Sequence, residues 1–163
     1  MNSKEAFDII YNLLEQQSQN NYYIDFSSLT FPNEDYFELE EFLDKHYKKD
    51  FSKKIKFIVL SIIFHYKASI FLDNDVAKAL YPNLANKDIR NIDLEELTSI
   101  IDKMILENYS ALNILFSNGD TTSLLRIEDG YDTYIFNLPD KEKTKIKELI
   151  DHQGLFLRNR TEI

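Results

Sequence analysis

The sequence predicts an α+β domain, with a helical N-terminal half packed on a C-terminal antiparallel meander of three to four strands and one further helix. Three observations predict it. In the first half apolar residues recur at helical spacing, as in Phe7, Ile10, Tyr11 and Leu14. From Leu112 onward the period drops to two, and Asn118-Gly119 and Asp129-Gly130 offer hairpin turns. Only three Gly and three Pro occur in 163 residues, so regular elements should be long. The length fits a single domain over residues 1–163.

Each element follows from local chemistry. Asn2 and Glu5 can form a capping box at the start of the first helix. Tyr22 to Phe31 is aromatic and β-branched, hence extended, and Pro32-Asn33 ends it. Asn33 can cap a second helix bearing Tyr36, Leu39, Leu43 and Tyr47. A third helix is expected over Ser52 to Leu72, apolar nearly all round and therefore central to the core. Asp73 opens a short helix that Pro82 stops. Asp93 and Glu96 form a D-x-x-E cap for a helix carrying Leu94, Leu97, Ile101, Met104 and Ile105. Alternating strands follow up to Pro139. A last helix with Ile146, Leu149 and Ile150 is closed by Gly154, and Leu155-Phe156-Leu157 can form a final strand.

Composition excludes several classes. With no Cys there is no disulfide scaffold, Cys-type zinc finger or Cys nucleophile. A net charge of −9 argues against direct nucleic-acid binding, which needs a clustered cation excess. The longest apolar run, Phe57 to Phe64, is far short of the roughly 20 residues that span a bilayer. No membrane partner is expected, and the N-terminus has no signal-peptide pattern, so the expected compartment is cytoplasmic. The Ile-, Asn- and Lys-rich composition is that of an AT-rich gene, a hint of a bacterial or phage accessory function.

No catalytic or metal set emerges. His46, His65 and His152 are dispersed and form no H-x-x-x-H, and His65 is expected to be a hydrogen-bonded core residue. Three isolated glycines cannot build a phosphate cradle, and the Asp73-Asn74-Asp75 start of a calcium loop lacks its Gly and terminal Glu. No catalytic, cofactor-binding or metal residue is assigned, and no cofactor is expected. A winged-helix order can be traced over residues 52–138, with Asp93 to Asn108 as recognition helix. That helix carries five acids against Lys103 alone, which disfavours phosphate contact but not protein contact.

The charge is unevenly placed. Residues 1–44 hold ten acids and one Lys, residues 45–56 six Lys and one Asp, and residues 93–132 nine acids and two cations. On the second helix Glu34, Glu38 and Glu41 share a face opposite Leu39 and Leu43, with Asp35 and Asp44 nearby. Glu34–Glu38 and Glu40–Asp44 repel at i,i+4, and Glu41–Lys45 and Asp44–Lys48 can offset this. Asp129, Tyr131, Asp132 and Tyr134 combine carboxylates and aromatics around the second turn. Glu34, Asp35, Glu38, Glu41, Asp44, Asp129, Tyr131, Asp132 and Tyr134 are therefore the candidate partner-binding residues. They suit an intracellular binding protein, an immunity protein or antitoxin neutralising a basic toxin or nuclease. The rivals are an anti-defence or regulatory protein (an acidic DNA mimic or winged-helix-like interaction module) and an enzyme.

Overall fold

The computed structural model describes residues 1–32 and 36–160. Its elements are α1 (Ser3–Glu15), β1 (Tyr22–Asp25), α2 (Phe37–His46), α3 (Lys48–His65), β2 (Lys67–Leu72), α4 (Asn74–Leu80), α5 (Leu94–Leu106), β3 (Leu112–Ser117), β4 (Thr122–Ile127), β5 (Thr133–Phe136), α6 (Asp140–His152) and β6 (Phe156–Asn159). A 3-10 turn, Pro82–Leu84, follows α4.

The class is α+β, but the expected division into a helical half and a short meander is corrected. Among the described residues the sheet has six strands in the order β2-β3-β4-β5-β1-β6, all antiparallel. Two of them come from the N-terminal half. β1 lies between β5 and β6, and β2 extends the meander at its other edge.

The expected third helix is in fact α3 followed by β2. Ile70 and Leu72 face the main core, while Phe71 faces a second cluster on the other side of the sheet. A strand covered on both faces reads as a continuous apolar run, and periodicity cannot separate it from a buried helix. β2 lies between α3 and α4, so the order over residues 52–138 is helix, strand, short helix, helix and hairpin, and α5 buries Leu97, Ile100, Ile101, Met104 and Ile105 while its acids Glu95 and Glu96 are exposed.

The sheet is sandwiched between helical layers. On one face α3, α5 and α6 contribute Ile55, Ile58, Ile62, Ile101, Met104, Ile146 and Ile150 to a core shared with Ile24, Ile70, Ile114, Leu125 and Ile135. On the other, α1 places Ala6, Phe7, Ile10 and Leu13 against Phe71, Leu115, Leu124 and Phe136.

Local signals behave as their chemistry requires. Asn2 Oδ1 accepts from Glu5 N–H at 2.9 Å, and the Asp93 carboxylate accepts from Glu95 N–H at 2.9 Å. Gly154, at φ +73°, is the left-handed residue that ends α6. Its N–H donates to Asp151 O, and Leu155 N–H donates to Ile150 O. The two expected tight turns are longer than two residues. β3 and β4 pair as far as Ser117 and Thr122, leaving residues 118–121 as the connection; residues 128–132 join β4 to β5. Gly119 and Gly130 still supply the positive φ each loop needs.

The outer edge of β2 is occupied at its centre. Ile89 N–H donates to Ile70 O at 2.8 Å, and Ile70 N–H donates to Asp88 Oδ1 at 2.9 Å. β6 forms the opposite edge.

Candidate functional site

The loop between β4 and β5 is held from below by aromatic rings. Tyr131 lies edge-on to Phe51 of α3 at 4.9 Å and to Phe26, just past β1, at 5.1 Å. Phe26 in turn meets Tyr47, at the junction of α2 and α3, at 6.2 Å. Three segments far apart in sequence are thus pinned around one ring. Gly130 is required for the close approach of the loop: its N–H reaches Met104 O at 3.4 Å, and a Cβ there would stand 3.3 Å from Asn108 Oδ1. That same Asn108 oxygen accepts from Lys48 Nζ at 3.0 Å. Lys48 is also 4.0 Å from Asp44, so the Asp44–Lys48 pair forms; no Glu41–Lys45 bridge exists among the described residues.

The consequence is electrostatic. The carboxyl of Asp132 is pushed up to about 6, first by lost hydration among its neighbours and then by the charges of Asp129, Glu128 and Glu40. The Tyr131 hydroxyl is pushed up by burial, then by Asp44, Tyr47 and Glu40. It is closed off from solvent and has no hydrogen-bond partner among the described residues. Tyr134 is likewise raised by burial and by Asp132 and Glu128, with Arg160 opposing; the Arg160 guanidinium lies 4.9 Å over its ring. Glu40 of α2 and Asp132 of the β4–β5 loop, 92 positions apart, therefore act on one another.

The candidate residues divide accordingly. Asp44, Asp129, Tyr131, Asp132 and Tyr134 are brought together. Glu38 and Glu41 are exposed on α2, and no hydrogen bond or ion pair ties them to the loop among the described residues. Glu34 and Asp35, and the Asn33 cap, lie outside the described residues. Sequence reasoning missed Glu40, Glu128 and Tyr47. Glu40 was legible as the acid one turn before Asp44 on the side nearest Leu43, but only the fold could bring it to Asp132.

α2 itself has no buried residue. Its N-cap position, Tyr36, makes no side-chain cap, and Phe37 and Phe42 are 69% and 59% exposed. The expected apolar side is thus only lightly seated, and acids and aromatic rings alternate around an open helix. The histidines lie away from this cluster. His65 is exposed in the last turn of α3, contrary to the expectation of a core residue, because the buried side of that helix is taken by Ile58, Ile62 and Ile63. No group of three or more metal-ligating side chains occurs among the described residues, and no helix there is long and apolar enough to cross a membrane.

One titration follows from this crowding. Since the folded-state value of Asp132 lies above its ordinary 3.8, the unfolded chain releases the proton first. This group's contribution to stability therefore falls as pH rises from about 4 to about 6, by an amount that solvent reduces because Asp132 is exposed. Asp132→Asn is expected to remove that fall and to be the more stable protein at pH 7, the difference vanishing below pH 4. Urea midpoints measured across this range check it; a variant less stable than the parent at pH 7 would contradict the crowding.

Compared with protein-family models, curated proteins and solved structures, the chain finds no match in any of the three.

Proposed function

We propose that this chain binds and neutralises a cationic protein, in the manner of an immunity protein or antitoxin acting on a basic toxin or nuclease. The observation that carries the proposal is the convergence of Glu40 and Asp44 with Asp129 and Asp132 around Tyr131, beside a Glu128 that Arg126 already engages at 2.8 Å. Like charges held together raise each other's energy, and a partner that supplies lysines or arginines relieves that cost on contact. The carboxylates would occupy the cleft that otherwise receives an anionic substrate.

The aromatic residues favour a protein partner over a mimic of the DNA phosphate array. Phe37 and Phe42 stand exposed between Glu38, Glu40 and Glu41. Rings that reach into a partner's apolar pocket supply affinity, while surrounding acids set the encounter rate and orientation.

The test is co-purification from the native host, or co-expression with the product of the neighbouring gene, followed by binding kinetics on the isolated pair. The double variant Glu40→Lys/Asp132→Lys is expected to lower the association rate by about tenfold or more and to flatten its salt dependence. If no basic protein is retained at moderate salt, the reading fails.

A further inference from the structure

α3 carries a surface of the opposite sign. Lys49, Lys53, Phe57 and Phe64 lie four, four and seven residues apart, so they form one stripe along the helix. It runs on the side away from Ile55, Ile58 and Ile62, which are in the core. The stripe is basic at its N-terminal end and apolar beyond it, and Lys67, the first residue of β2, restores positive charge past the far end. Phe57 is 53% exposed and Phe64 is 66% exposed. Asp50 is the one acid of α3.

The cations of this surface are unspent. Lys48 and Lys56 are engaged with Asp44 and Asp102. Lys49, Lys53 and Lys67 are exposed, and none of the three is in an ion pair among the described residues. The Arg90 guanidinium lies 4.8 Å over the Phe64 ring, held there by its bond to Ile63 O. The two exposed rings are therefore flanked by positive charge at both ends.

We propose that this stripe seats the protein on the surface of an anionic lipid bilayer, with α3 lying in the plane of the interface. A helix with its convex side outward needs a partner that is flat or deformable, and a lipid–water interface is both. The rings can enter the headgroup–acyl boundary while the lysine stems lie along it with their ammonium groups among the phosphates. The expectation that no membrane takes part rested on the length needed to span one, which has no bearing on contact with its surface. The net charge of −9 opposes adsorption to an anionic surface, so the attraction is confined to the lysine end of the stripe and the rings must supply the rest.

Co-sedimentation with vesicles tests this, using phosphatidylcholine alone and phosphatidylcholine mixed with phosphatidylglycerol at low ionic strength. The protein is expected to pellet with the mixed vesicles and not with the neutral ones. Phe57→Ser/Phe64→Ser and Lys49→Glu/Lys53→Glu are each expected to lower the partition coefficient by about tenfold. All four positions are at the surface, so far-UV circular dichroism should be unchanged. Phe37→Ser, an exposed ring on α2, should leave the partition as it is. The proposal is overturned if the mixed vesicles pellet no protein, if either stripe variant pellets like the parent, or if Phe37→Ser abolishes pelleting. Failure with vesicles would mean that the cations serve an acidic protein instead.

Discussion

Phe51→Ala is expected to destabilise the protein by about 3–5 kcal/mol and to weaken the acidic site with it. Phe51 is fully buried in α3, and its ring carries Tyr131 at 4.9 Å. Truncation removes most of an aromatic side chain from water-free packing and leaves a void that rigid neighbours close only in part. The void would open directly under the loop that holds Asp129 and Asp132. Binding of a cationic partner should therefore fall more than stability alone requires, because the loop loses its floor. Phe51→Leu separates the two effects: it fills much of the space, is expected to cost about 1–1.5 kcal/mol, and should recover most of the binding. Urea denaturation beside binding kinetics checks both variants. An alanine variant within 1 kcal/mol of the parent would show that Phe51 does not carry the loop.

The second large effect is expected at Arg126. Its guanidinium on β4 donates twice to Asp73 (at 3.1 and 2.8 Å), to Asn113 Oδ1 at 2.7 Å and to Glu128 at 2.8 Å. The arginine side chain is 13% exposed, and Asn113 is fully buried. Asp73 also accepts from Asn113 Nδ2 at 2.8 Å, so it stands at the start of α4 without capping that helix. Arg126→Met leaves two carboxylates and a buried amide oxygen without their donor. The loss expected for such a pair is about 3–5 kcal/mol; partial access of water to Asp73 and Glu128 favours the lower end. Arg126→Lys is expected to rescue little, since one ammonium cannot reproduce the fork. Adding Asp73→Asn to Arg126→Met should return at least about 1 kcal/mol, measurable as a double-mutant cycle in urea. A cycle that closes at zero would show that the contacts do not couple.

What could be read from the residues depended on range. The caps at Asn2 and Asp93, the Gly154 terminus and the strands from Leu112 to Phe136 follow from neighbours within four positions, and these stand where the sequence put them. β2 was lost because Ile70, Phe71 and Leu72 are buried on both faces, which erases the alternation that marks a strand. Phe57 and Phe64 were assigned to the core for the related reason that hydrophobicity alone does not reveal which side of a helix is covered. The acidic site was half legible. Two charged segments could be counted along the chain, but their meeting depends on Phe26, Tyr47, Phe51 and Tyr131, whose contacts span 21, 80 and 105 positions. Glu40 and Glu128 became site residues only through that closure.

The contacts at Ile70 raise a barrier to growth of the sheet at one margin. An uncovered strand can recruit copy after copy and propagate into a fibre. Here Asp88 and Ile89 take both backbone groups of Ile70, so a further strand paired along β2 must first release that loop. An aromatic-rich chain with three Gly and three Pro in 163 residues thus guards the middle of this margin with one aspartate and one peptide group.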